Sequence, residues 1–440
     1  MPTSRGTWRT CSRDVCLGVF VLLFVLRGDS CRAAILVPDD YPTIALGLQH
    51  AWVGDTVLVR CGTYTEHGMY LTSGITLRSE TGNPDCVVID GDYSGSILIA
   101  LDAAKPVRVE GISLTRGGGL TESAADGGGI HLVNSTAFIK SCRFDSNYSG
   151  SKGGGIYASG SGVQIEDCSF TANRGTGSLD GYGEGGAIYA LLSELEVIRG
   201  SFTDNLSDVN FGGSGGAIHC NSASLSVFAS RFEGNWTYGT GGAIYFSGAL
   251  SATITESAFV NNGAGGGASI TAGGTGTMDV SWCQFLRSPG SASFSEISSS
   301  DESSLNISHS TLIGSASPIQ AMMVRGGAED ALAHCVMVLA SGLAATDCAG
   351  TVPVFFCCDL YSPVGSAWVD CYADQLGVNG NISADPQFCG EAGSGNYYLQ
   401  SDSPCAPANN SCGELIGALP VGCEAVATKA SSISAIKSLY

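Results

Sequence analysis

Through the middle of the chain, apolar and polar residues alternate with a period of two. In AIHCNSASLSVFASRF, Ile218, Cys220, Leu225, Val227 and Phe232 occupy inward positions, with polar residues between them. Period two is the mark of strands, whose successive side chains point to opposite faces. The alternation restarts in units. Aligned on their paired glycines, GGGIHL, GGGIYA, GGAIYA, GGAIHC and GGAIYF place Ile at 130, 156, 188, 218 and 244. Each is followed by FDSN, FTAN, FTDN, FEGN or FVNN, with Phe at 144, 170, 202, 232 and 259. The Ile-to-Phe separation is 14 four times and then 15, whereas Phe-to-Phe varies from 26 to 32.

A fixed half joined to a variable half describes a coil with one adjustable side. The variable stretch between Asn and the next glycine pair, such as RGTGSLDGYGE, is expected to be an outward loop, where insertions cost little. About 25–30 residues per unit suits a coil of three short strands. Such coils stack in parallel, which predicts an all-β fold: a single right-handed parallel β-helix with an N-terminal helix cap and a Cys-rich C-terminal cap. Neighbouring coils then lie about 4.8 Å apart, and equivalent residues form ladders. Phe144, Phe170, Phe202, Phe232, Phe259 and Phe285 are expected to form an inner aromatic stack. Asn147, Asn173, Asn205, Asn235 and Asn262 are expected to form an amide ladder at a turn, and the glycines to supply tight or left-handed backbone. The NYS and NWT sequons fall on ladder residues Asn147 and Asn235, so they are read as coincidences.

The pattern weakens outward without stopping. VRVEGISLTRG reads as an earlier rung with Leu114 at the Phe position, and WCQFLRS, LNISHSTLIGS and LAHCVMVLAS read as later ones. Cys142, Cys168, Cys283 and Cys335 all lie two residues before the Phe-equivalent position and are expected to be buried thiols, with a Cys142–Cys168 disulfide as the alternative. At the N-terminal end, DYPTIALGLQHAWVGDTVLV predicts a short helix opened at Pro42 with Ile44, Leu48 and Ala51 on one face, then a strand over Thr56 to Arg60. An open β-helix exposes its core at both ends, so both need covering.

The cysteines sharpen this picture. Cys61 and Cys86, about one coil apart, are expected to form a clasp over the N-terminal end. Cys348, Cys357, Cys358, Cys371, Cys389, Cys405, Cys412 and Cys423 read as disulfide candidates in a stapled C-terminal cap, whose pairing the sequence leaves open. Disulfides imply an oxidising compartment. The N-terminus agrees: Arg5, Arg9 and Arg13 precede an apolar run from Val15 to Leu26, and small residues around Cys31 and Ala33 offer a cleavage site. The resulting division is 1–33 signal peptide, 34–100 N-terminal cap and first coils, 101–345 repeat β-helix, 346–423 Cys-rich coils and cap, and 424–440 tail. A secreted or cell-surface protein, not transmembrane once processed, is expected. Without residues 1–33, 15 basic residues face 38 acidic ones, a net charge of −23. That surface disfavours nucleic acid and anionic lipid.

The GGAI…FxxN units, over about Gly127 to Asn262, resemble the repeats of the polymorphic outer membrane proteins. YPTI…GDTVLV…CGTY is similar to the opening of secreted right-handed β-helix proteins of the pectin-lyase-like superfamily, and ADPQFC…SPC…IGALPVGC resembles the close of bacterial secreted members. The resemblance implies the fold, and the fold hosts lyases, hydrolases, esterases and adhesins alike. For an enzyme it implies either a calcium-holding carboxylate cluster with an Arg or Lys base, or paired Asp residues with GHG and RIK motifs. Neither motif occurs, and no catalytic residue is assigned. Asp39 and Asp40 read as a turn, and His309 and His334 as surface residues outside any metal-ligand spacing.

Binding has one concrete feature. The residue after each repeat Ile should point away from the core: His131, Tyr157, Tyr189, His219 and Tyr245. In register these form an aromatic stripe of about 19 Å, set to stack on sugar rings or pack on a protein strand. The plainer account is that Tyr and His suit an exposed strand. Asp180, Glu184, Asp204 and Asp208 offer oxygen ligands for calcium, set against simple solvated charge. The leading expectation is adhesion or glycan or protein binding; the alternative is a polysaccharide lyase or hydrolase.

Overall fold

A computed structural model describes residues 34–423, apart from 119–125, 178–182, 209–211, 249, 266–267, 288–294, 300–301, 315–329, 340–344, 346–351 and 391–395. The chain winds as a right-handed parallel β-solenoid. Its first sheet has 13 strands, from Ala34–Val37 to Val354–Phe356. The second has 12, from Gly62–Thr65 to Asp359–Tyr361. A third, of five strands, runs from Tyr148–Ser149 to Gly263–Ala264, and a fourth, of nine, from Met69–Tyr70 to Ser295–Ser299. Each repeat visits them in that order, and strands of adjacent coils pair parallel and in register within each sheet.

The third sheet departs from the three-strand coil. Arg174–Thr176, inside the stretch expected to be an outward loop, pairs with Tyr148–Ser149 and with Leu206–Asp208. Two or three residues of strand after the ladder Asn let the backbone reach the next coil before it turns. The glycines explain why this wall fits. Gly185 has φ +66, and a Cβ on Gly186 would meet the Gly216 carbonyl oxygen at 2.1 Å and the Leu206 backbone at 2.7 Å.

The ladders form as the repeat requires. Phe144, Phe170, Phe202, Phe232, Phe259 and Phe285 stack with centroids 4.6–4.9 Å apart and rings tilted by 2–7°. Each ladder Asn is buried. Asn173 Nδ2 donates to Asn205 Oδ1 at 2.9 Å and to the Phe144 carbonyl at 3.0 Å, while its N–H donates to the same Asn205 oxygen. Burying the amides keeps Asn147 and Asn235 out of reach of glycosylation.

The helix expected to open at Pro42 is Ile44–His50, capped by Thr43, whose hydroxyl accepts from Leu46 N–H, and Ala51 falls just past its end. Glu66 accepts from the N–H groups of Ile44 and Ala45, and Ile44 and Leu48 are buried against the first coil. At the other end Trp368 and Tyr372 close over Phe355. A small apolar cluster of Val336, Leu399, Cys405 and Ile416 seats the last segment on the solenoid.

Three disulfides are Cys61–Cys86, Cys357–Cys412 and Cys389–Cys423, and Cys371 is also disulfide-bonded. Cys61–Cys86 joins adjacent rungs beside the Gly62/Val87 pair, so it staples the flank and does not cover the end. Cys348 lies outside the described residues. Two candidates are corrected: Cys358 and Cys405 are free and buried. In Cys357–Cys358, the first residue takes φ +51 at the turn and bonds Cys412, while the second points inward. Cys358 donates to the Leu332 and Phe356 carbonyls, as Cys335 does to Ile307 and Ala333, so it continues the ladder of buried thiols. Cys405 faces Asp359. Cys142 and Cys168 are free as well. Burial pushes the Cys220 and Cys283 thiols up to about 12, which keeps them inert at neutral pH.

Candidate functional site

The stripe assembles on the fourth sheet. His131, Tyr157, Tyr189, His219 and Tyr245 occupy one register column. Because each stands on its counterpart, their rings meet one another: His131–Tyr157 at 5.0 Å and 20°, Tyr157–Tyr189 at 5.8 Å and 6°. Tyr189–His219 and His219–Tyr245 are 5.0 and 4.9 Å apart at 52° and 64°. In the stacked half the ring faces are taken up by neighbours, and edges and polar atoms are what remain for a partner.

Exposure of the whole stripe is corrected too. Tyr189 is 1% exposed and His219 3%, while His131, Tyr157 and Tyr245 are half-buried. The cover is a second in-register row, Lys152, Glu184, Ser214 and Thr240, linked rung to rung by single bridges. Lys152 Nζ sits 4.5 Å over the Tyr189 ring, donates to its hydroxyl at 3.1 Å and pairs with Glu184 at 2.9 Å. Ser214 Oγ is hydrogen-bonded to His219 Nδ1 at 2.9 Å, and His131 Nδ1 donates to the Asp126 carbonyl at 2.7 Å.

Burial sets the protonation of this cluster. It pushes the His219 imidazole down to about 4, so the ring is neutral at physiological pH. Burial raises the Tyr189 phenol and, aided by Glu184, the Tyr245 phenol. Burial alone would lower the Lys152 ammonium, but hydrogen bonds to Glu184 and Tyr189 outweigh it and hold the group well above its ordinary value. Lys152 is thus a fixed cation. Of the acidic residues considered for calcium, Glu184 is engaged by Lys152, and Asp204 is exposed at a turn with φ +53. Asp180 and the Asp208 side chain lie outside the described residues.

A second column was not anticipated. At the corner between the first and second sheets, Trp282, His309 and His334 share one register position with φ of +57, +44 and +55. Trp282 stacks on His309 at 4.2 Å and His309 on His334 at 4.7 Å, with Phe356 edge-on to His334 at 5.9 Å. Glu414 of the C-terminal cap faces both imidazoles. The signal was present in the sequence: both histidines follow a strand residue by two, one coil apart. Cys61, Glu80 and Cys86 also converge, but both sulfurs are consumed by their disulfide.

A family model described as a right handed beta helix region matches the coils that carry the aromatic column. Residues 128–322 are matched. Five solved chains match in structure. One is a PL6 family alginate lyase, AlyGC, with TM-score 0.46 and 14% identity; a mutant of the same lyase has 0.43 and 13%. Each comparison covers 90% of this chain and 58% of the lyase, so the chain spans under two thirds of that protein's length. No curated protein matches in sequence.

Proposed function

We propose that the protein is an exported β-helix scaffold that binds a glycan, or a protein at the cell surface, through the outer face of its fourth sheet. The carrying observation is the in-register column from His131 to Tyr245, whose half-buried members, His131 and Tyr157 on adjacent rungs and Tyr245 three rungs beyond Tyr157, offer ring edges and hydroxyls at multiples of about 4.8 Å beside the Lys152–Glu184 pair. Such a row suits hydrogen bonding along an extended polar polymer more than stacking of sugar rings. The fixed charge on Lys152 supports recognition over proton abstraction, which needs a neutral amine.

A glycan array probed with the full chain tests this. Tyr157→Ala combined with Tyr245→Ala is expected to remove most of the signal while leaving far-UV circular dichroism unchanged. An undiminished signal overturns the site. Release of unsaturated or reducing ends from acidic polysaccharides would instead favour a lyase or hydrolase.

A further inference from the structure

The corner column and the C-terminal cap meet at one point. His309 and His334 stand on successive rungs in the left-handed region, which turns both side chains away from the core. Their rings are nearly parallel, 13° apart, and enclosed between Trp282 and Phe356. Only 19% of the His309 side chain and 13% of the His334 side chain are exposed. Glu414 Oε2 lies 3.7 Å from His309 Nε2 and 3.5 Å from His334 Nε2.

These separations are long for hydrogen bonds, which run at about 2.7–3.2 Å. They are close to the spacing of ligand atoms around a tetrahedral ion. With metal–ligand bonds of about 2.0–2.2 Å, neighbouring ligand atoms sit roughly 3.4 Å apart. All three atoms lie within 4.8 Å of one another, and ligation requires the imidazoles to rotate out of their near-parallel stack so that both Nε2 lone pairs point at one ion. The carboxylate is placed from both sides along its own segment. Two residues before it, Cys412 is bonded to Cys357, the residue above His334 in the same column. Three residues after it, Gly417 N–H donates to the His334 carbonyl at 2.8 Å, and Ala418 N–H to Thr311 Oγ1 at 2.9 Å. The donor set is thus held by pieces anchored independently of any ion.

We propose that His309, His334 and Glu414 bind one divalent transition-metal cation of the zinc class, which ties the C-terminal cap to the coils. Two imidazole nitrogens and a carboxylate suit zinc, nickel or copper better than calcium or magnesium, which take oxygen ligands. The side open at Glu414, whose side chain is 62% exposed, leaves room for water as a further ligand. This site is separate from the fourth-sheet column, and its test is independent of glycan binding.

The oxidised full chain is titrated with zinc chloride by calorimetry, with millimolar magnesium and calcium present to occupy the acidic surface. One zinc per chain is expected. His309→Phe and His334→Phe keep an aromatic ring in the stack and are each expected to weaken binding by about 100-fold, and Glu414→Gln by about tenfold. Zinc should also raise the melting temperature of the wild-type chain and leave that of His334→Phe unchanged. Circular dichroism confirms that each variant is folded. Absence of zinc binding, or equal affinity in the wild-type chain and folded His→Phe variants, overturns the proposal.

Discussion

Asn205 illustrates how much one side chain carries when it repeats. Its Oδ1 accepts from both the N–H and the Nδ2 of Asn173, and its own Nδ2 donates to the Phe170 carbonyl and to Asn235. Replacing it with Ala strands two buried donors on the coil below and removes a link on the coil above. At about 1–3 kcal/mol for each unsatisfied group, Asn205→Ala is expected to cost about 2–6 kcal/mol. Amide hydrogen exchange at Asn173 and Asn205 checks it, since both N–H groups are bonded within the ladder. The same logic governs Gly186: any Cβ there collides with backbone of the next coil, so Ala is excluded by contact and not by conformational preference alone.

Among the elements, the C-terminal cap responds to pH through Asp359. It is fully buried, accepts from Ala384 N–H at 3.0 Å and from the Cys405 thiol at 3.2 Å, and burial pushes its carboxyl up to about 6. A native value above the unfolded one means that the folded cap holds the proton more tightly. Its stabilising contribution is complete below the unfolded value near 4 and disappears as pH rises through about 6, a change of about 3 kcal/mol. Calorimetric scans at pH 4 and 7 should therefore show the cap transition falling in the wild-type chain and flattened in Asp359→Asn. This cap also shows what sequence reading reaches. The Ile-to-Phe spacing, the Phe and Asn ladders and the thiol slot were legible because each recurs once per coil at a fixed offset. The third sheet was not, since pieces as short as Trp236–Thr237 hold too few residues for period two to register. Nor was the burial of Tyr189, because Lys152 reaches it from the preceding coil. Cys358 was legible in principle, two residues before Leu360, but its place in a Cys-rich stretch masked the ladder.

For the molecule as a whole, stability should be local and additive, because each coil touches mainly its neighbours. Phe202 makes the point, stacked between Phe170 and Phe232 at 4.8 and 4.7 Å. Phe202→Ala leaves a cavity and is expected to cost about 3–5 kcal/mol. Hydrogen exchange should show lost protection spreading over the coils on either side, while amides of the cap near Asp359 keep theirs. Uniform loss along the chain would show that the solenoid folds as one cooperative unit. The in-register stacking has a further consequence for size. Thirteen strands in the first sheet set its two ends about 58 Å apart, and duplication or loss of one repeat changes that span by about 4.8 Å without altering either end. The repeat number therefore acts as a ruler, setting how far whatever docks at the helical end is held from the histidine corner at the other.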